Sequence, residues 1–210
     1  MTATTQSTAP EALEKLKHAP SATGVEELLL RRWSPRAFAD QDLSAEELKK
    51  MFEAASWAAS SYNEQPWRFL VGRRGDATYK KIFEALSEFN QAWAKSAPVL
   101  IFSVGKKTFS HNGSPNRYGL HDTGAATANL ALQATSLGLH THSMAGFDNE
   151  KIRKSFGIPE DYELGAVTAV GRLGDASTLP EHLQKTETSP RERKPLREFV
   201  FSGWEKPAEF

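Results

Sequence analysis

Apolar positions recur along this chain with helical and strand periods in turn, and Gly, Pro or Ser/Asn clusters separate the runs. Val25, Leu28 and Leu29 fall at helical spacing ahead of Arg31 and Arg32, which predicts a short helix ending near Trp33 with Ser34-Pro35 as its breaker. Ser44-Ala45-Glu46-Glu47 is a capping box, and Leu48, Met51, Phe52 and Ala55 follow on one face, predicting a helix to about Ala59. Arg68 to Gly72 reads as a strand, Tyr79, Ile82, Phe83 and Leu86 as one helical face, and Pro98 to Val104 as a buried strand rich in β-branched and aromatic residues. A Gly/Ser/Asn-rich loop from Gly105 to Gly119 leads to a helix over Asp122 to Leu137, stopped by Gly138; its many small residues predict close packing and hence a central position. A strand at Leu139 to Met144, a helix from Asp148 to Phe156 capped by Gly157, and a strand at Leu164 to Gly171 complete the pattern. Interleaved helices and strands place the chain in the α+β or α/β class.

The two ends depart from this pattern. Residues 1–24 are rich in Thr, Ala, Ser and Pro and read as a mobile tail, with one helical turn around Glu11 to Lys17. Residues 25–210 are expected to form one domain. After Gly174 the chain turns polar, yet Leu196, Phe199, Val200, Phe201, Trp204 and Phe210 place a dense apolar set at the extreme C-terminus. Such a segment needs a surface to cover, either its own body or a partner subunit.

Composition narrows the chemistry. Lys plus Arg and Asp plus Glu are equal at 26 each, so no bulk basic field exists to hold nucleic acid or an anionic membrane. Cysteine is absent, which excludes thiolate metal sites, iron-sulfur clusters and cysteine nucleophiles. No apolar run approaches the roughly 20 residues of a membrane helix. The N-terminus lacks the layout of a secretory or transit signal, so a cytoplasmic location is expected.

Four constellations carry candidate chemistry. Arg31-Arg32-Trp33-Ser34-Pro35-Arg36 sets guanidinium forks and a hydroxyl at a helix-to-loop junction, a chemistry suited to phosphate, although arginines at a helix C-terminus also simply favour the helix dipole. Ser60-Ser61-Tyr62-Asn63-Glu64-Gln65-Pro66-Trp67 is a polar loop ending in a rigid Pro and a bulky aromatic, fit either to orient a polar ring or to make an ordinary turn. Ser143-Met144-Ala145-Gly146-Phe147-Asp148 joins a strand end to a helix cap and offers free backbone N–H groups. Arg191-Glu192-Arg193-Lys194-Pro195 is a second basic cluster, remote from the first. A rival reading assembles His121, Asp122, His140 and His142 into a hydrolytic metal site, but no HExxH sequence supports it, and no GxG or GKS/T sequence supports a Rossmann or P-loop protein.

Taken in order, the RxSxR segment, the SSxNxQPW loop, the small-residue helix, the GFD turn and the RxRKP segment resemble the FMN-dependent nitroreductase family from about Val25 to Trp204. The resemblance implies an α+β fold with a central, mainly antiparallel sheet flanked by helices. It also implies an intertwined homodimer with a C-terminal arm and two FMN sites at the subunit interface. On this basis Arg32, Arg191 and Arg193 hold the FMN phosphate, Trp33 and Ser34 lie along the cofactor, and Arg36 approaches the flavin pyrimidine edge. Ser60, Ser61, Asn63 and Gln65 belong to the loop contributed by the other subunit, Asn90 matches an amide at the pyrimidine edge, and the backbone of Met144, Ala145 and Gly146 faces flavin N5 and O4. The implied activity passes hydride from NADH or NADPH through FMN to a small acceptor such as a nitroaromatic or quinone, with ping-pong kinetics. A non-catalytic flavin-binding or sensing protein would share every binding residue. Some relatives carry Glu where this chain has Ala145, and Lys where it has Trp93. The second departure suggests that Trp93, with Phe109 and Tyr118 of the following loop, lines an apolar acceptor pocket.

Overall fold

The structure, a computed structural model, describes residues 7–209. Four strands form one antiparallel sheet: β1 (Trp67–Arg73), β2 (Val99–Lys106), β3 (His140–Met144) and β4 (Tyr162–Gly171), in the order β1-β2-β4-β3. This is the α+β arrangement, with β1 and β3 at opposite edges. The β2 strand begins with a continuous apolar run, Val99 to Phe102, because both of its faces are covered. Val99 and Ile101 point to a layer that contains α3 (Ala45–Ser56) and α6 (Gly119–Ser136), which pack through Met51, Ala55, Ala126 and Leu130. The alternate residues Leu100, Phe102 and Val104 point to α4 (Ala77–Ala85), α5 (Glu88–Ala94), α7 (Asn149–Phe156) and α8 (Glu181–Glu187).

Local signals place the helix ends. The Ser44 hydroxyl accepts from the Glu47 N–H at 3.1 Å and the Glu47 carboxylate accepts from the Ser44 N–H at 2.8 Å, closing both halves of the capping box. Loss of such a cap costs about 1 kcal/mol. Asp148 caps α7 through the Lys151 N–H, and Gly157 ends it at φ 61, where a Cβ would be strained. Helices α5 and α8 have seven residues each, too few for periodicity to reveal them.

The expectation of a mobile tail is corrected where the chain is described. Residues Pro10–Lys17 form α1, and its Leu13, 0% exposed, packs with Trp33, Leu173 and Ala176 in a satellite core. One leucine with three apolar partners supplies the burial that composition alone did not promise. Residues 1–6 lie outside the described residues. At the other end, β5 (Phe201–Gly203) and β6 (Lys206–Pro207) make a hairpin that bonds to itself, and Leu196, Phe199, Phe201 and Trp204 are exposed, Trp204 to 91%. Phe210 lies outside the described residues.

Candidate functional site

The two basic clusters meet although some 150 residues separate them. Arg191 donates through Nη2 to the Leu30 carbonyl at 2.8 Å and through Nη1 to the Arg32 carbonyl, at the end of α2 (Glu27–Arg31). Burial, then the neighbouring Arg193 charge, holds the Arg32 guanidinium below its ordinary pKa; burial, then Arg32 and Arg193, does the same to Arg191. Three cations therefore repel one another, Arg32 and Arg191 partly buried and Arg193 at the exposed rim. No ion pair among the described residues joins any of them to a carboxylate. A cluster of this kind is stabilised by an anion, and the fork geometry of guanidinium suits phosphate. The buried Nε atoms of Arg36 and Arg191 and the Trp33 Nε1 also lack a partner.

The segment from Ser34 to Ala37 continues from this cluster along β3. His142 donates from Nδ1 to the Pro35 carbonyl at 2.9 Å, and the Arg36 guanidinium stands 5.9 Å from the Trp93 ring centre. Ser34 is exposed and 3.5 Å from Arg32 Nη1, whereas the Trp33 ring is turned into the satellite core, leaving its backbone toward the cluster. Trp93 itself is 2% exposed, stacked on Phe38 and packed against His142. This corrects the reading of Trp93 as a wall of the acceptor pocket: the indole fills the core beneath β3, where a flat ring of its size has more apolar surface to bury.

At the end of β3, Asn90 and Gly146 come together. Asn90 donates from Nδ2 to the Gly146 carbonyl at 2.9 Å, and the Ser87 N–H reaches the same oxygen at 2.9 Å. A Cβ at Gly146 would stand 2.8 Å from Asn90 Nδ2 and 3.1 Å from Ser87 Oγ, so a larger residue here would displace the Asn90 amide. Met144 is buried, while Ala145 and Gly146 are exposed beyond the last β3 pair, Met144 with Val167.

The Ser60–Gln65 loop lies elsewhere. It leads into β1, so the sheet order sets it off from β3 by three strand spacings, roughly 14 Å. Its recorded bonds run to Asp122, which accepts from the Ser61 N–H at 2.9 Å, and from Glu64 to the Ser110 N–H and hydroxyl at 2.9 and 2.5 Å. Ser60 Oγ accepts from the Gln65 N–H at 3.0 Å, and Gln65 Nε2 donates to the Asn63 carbonyl at 3.1 Å. Tyr62, Asn63 and Gln65 take φ of 54, 55 and 50, a conformation that costs an L-residue about 1 to 2 kcal/mol. Strain of this kind clusters at functional sites in proteins generally. Phe109 packs edge-on against the 85% exposed Tyr62, and Tyr118 lies against Arg117 and His121.

The residues of the rival metal reading do not converge. His121 bonds Asp122 at 3.1 Å, while His140 lies against Trp33 and 4.0 Å from Glu14, and no group of three or more potential metal ligands occurs among the described residues. Sequence reasoning missed Glu187, Lys17 and Glu64, which organise the site's loops; each is an ordinary charge in a polar stretch until the fold supplies its partner.

Residues 29–92 and 77–172 match the sequence pattern of the Nitroreductase family. The chain belongs to that family. An uncharacterized 15.4 kDa protein of Mycolicibacterium smegmatis is 37% identical over 149 residues, 67% of this chain and 99% of the relative. An Archaeoglobus fulgidus protein that bears a provisional NADH dehydrogenase/NAD(P)H nitroreductase name is 30% identical over 158 residues, 73% of this chain and 88% of that protein. Among solved structures, an oxidoreductase containing FMN superposes with a TM-score of 0.84 at 39% identity, covering 89% of this chain and 96% of the other. A nitroreductase family protein of Clostridium difficile gives 0.64 at 28% identity, covering 83% and 95%. No helix of the described residues is long and apolar enough to cross a membrane.

In this chain, burial lowers the pKa values of His140 and His142 to about 4, assisted by the nearby charges of Arg31 and Arg36 respectively. An unfolded histidine titrates near 6.5, so between about pH 6.5 and 4 the unfolded chain binds more protons and stability falls as pH falls. The loss reaches about 3 kcal/mol per histidine at most. Denaturant midpoints measured from pH 7 to 5, above the carboxylate range, are expected to drop for the native chain and to stay flatter for a His140→Asn/His142→Asn variant. Equal slopes would refute this account.

Proposed function

We propose that this chain is an FMN-dependent oxidoreductase that works as a homodimer and passes hydride from NADH or NADPH to a small electron acceptor. The observation that carries the reading is the convergence of Arg32, Arg191 and Arg193 without a carboxylate partner, a phosphate site built from both ends of the chain. The FMN-containing structure and the nicotinamide-linked name of the Archaeoglobus fulgidus relative agree with it.

Each element has a task in this reading. The three arginines hold the phosphate by charge-assisted bonds. Arg36, with an unpartnered Nε over the Trp93 ring, reaches the pyrimidine edge and favours negative charge there. Asn90 holds the Gly146 carbonyl, so that the N–H groups past β3 face the ring edge, and the absent Cβ lets the Asn90 amide and the Ser87 hydroxyl close on this turn. Bound FMN would supply the redox chemistry that no side chain here provides. Ser60, Ser61 and Asn63 sit at the opposite sheet edge from Gly146, which suits a loop serving the site of a second copy. Phe109, packed on that loop through Tyr62, and Tyr118 shape the acceptor side for flat, weakly polar molecules. A cytoplasmic location fits a nicotinamide-linked enzyme.

The test is the visible spectrum of the purified protein, followed by titration of the apoprotein with FMN and by steady-state NADH oxidation with a quinone. Flavin bands, stoichiometric FMN binding and parallel-line kinetics are expected. Absence of FMN binding would refute the reading, and tight FMN without NADH or NADPH oxidation would identify a non-catalytic flavin protein.

A further inference from the structure

Beyond that reading, and resting on its assignment of Arg36 to the flavin, the geometry points to Glu187 as the positioning residue that fixes Arg36. Glu187 ends α8 and is 1% exposed. A carboxylate there is doubly disfavoured, by desolvation and by the negative end of the helix dipole, so it needs specific partners. Its Oε1 accepts from the Arg36 N–H at 2.7 Å and the Ala37 N–H at 3.1 Å. Its Oε2 stays 4.0 Å from Arg36 Nη1, beyond hydrogen-bond range. The short bonds thus go to the backbone, and the guanidinium is placed without its donors being consumed.

Lys17 secures the same turn from the other side. Its ammonium donates to the Thr186 and Ser189 carbonyls at 3.2 and 2.6 Å and stands 5.0 Å from the Trp33 ring centre. Burial lowers the Lys17 pKa, and Glu187 opposes that shift. Helices α1 and α8 together therefore clamp the Trp33–Ala37 segment through one buried acid and one buried base. A purely structural wedge at position 187 could be apolar. What the carboxylate adds is a two-point anchor for the backbone that carries Arg36.

The experiment compares Glu187→Ala, Glu187→Gln and Arg36→Gln by the midpoint potential of bound FMN and by amide hydrogen exchange of the apoprotein. Reduction adds negative charge beside Arg36, so a displaced Arg36 lowers the potential. Glu187→Ala is expected to shift the potential negative, as Arg36→Gln does, with no further shift in the double variant. Glu187→Gln keeps an oxygen for both N–H groups and is expected to stay near the native potential. In the apoprotein, Glu187→Ala is expected to speed exchange at Arg36 and Ala37 roughly tenfold or more, and Glu187→Gln much less. Positive shifts in both Glu187 variants would mean that the carboxylate acts by charge alone, and unmoved potentials that it acts only on the fold; either overturns the inference. Should Glu187→Ala not fold, Glu187→Asp, too short to span both N–H groups, is expected to shift the same way. If the native chain binds no FMN, the proposed function falls, and unchanged exchange in Glu187→Ala would remove the anchor as well.

Discussion

Arg193→Ala is expected to weaken FMN binding roughly tenfold to a hundredfold, because a charge-assisted bond to phosphate contributes about 1.5 to 3 kcal/mol. Arg193 is the clean member of the cluster: it is exposed, and its one recorded bond is to its neighbour's carbonyl. Arg32→Ala is expected to act in the same range. Arg191→Ala removes in addition the bonds that tie the C-terminal segment to Leu30 and Arg32, so it should cost stability as well as affinity. Riboflavin, which lacks the phosphate, provides the control and is expected to bind nearly equally to native protein and Arg193→Ala. Fluorescence titration of the apoprotein with both ligands checks this. Equal losses for the two would place the arginines on the ring or in the fold instead.

Truncation before Leu196 is expected to abolish dimerisation and, with it, FMN retention. The segment exposes Leu196, Phe199, Phe201 and Trp204; full burial of an exposed apolar side chain contributes roughly 1.5 to 3 kcal/mol, so the half-exposed Leu196, Phe199 and Phe201 would contribute about half of that each. Trp57 and Leu29 add further exposed apolar surface on the body. The truncated chain keeps Arg191 and Arg193, and the bonds of Arg191 to Leu30 and Arg32 hold the phosphate site together without the segment. On the proposed reading a loss of FMN would come from removing the second copy, whose Ser60–Asn63 loop is assigned to the ring site. Sedimentation with flavin quantification reads both effects together. A monomer that still holds stoichiometric FMN would refute the interface site.

Much of the scaffold was legible before any coordinates. The β2 run of consecutive apolar residues announces a strand covered on both faces, the Ser44/Glu47 pair announces a helix start, and Gly157 announces a helix end. Each is a local signal, because the residues that make the interaction are a few positions apart. The same holds for the QPW and GFD pieces that pointed to the family. Where the signal was too short or too sparse, the reading failed: α5 and α8 have fewer than three turns, and the burial of Leu13 depends on Leu173 and Ala176 far along the chain.

The site divides along the same line. By itself the sequence determined which residue types were available: two arginine clusters, an amide and a glycine, a polar loop, and no cysteine. Only the tertiary structure decided that Arg191 reaches the Arg32 carbonyl, that Asn90 closes on Gly146, and that Trp93 belongs to the core rather than to a pocket. It also decided that Glu187, one acid among 26 acidic residues, anchors Arg36. Periodicity reports which face of an element is buried, but it carries no record of which distant element covers that face. The partner of a charge is chosen by that covering, and so the chemistry of the site appears only when the sheet and its two helical layers are assembled.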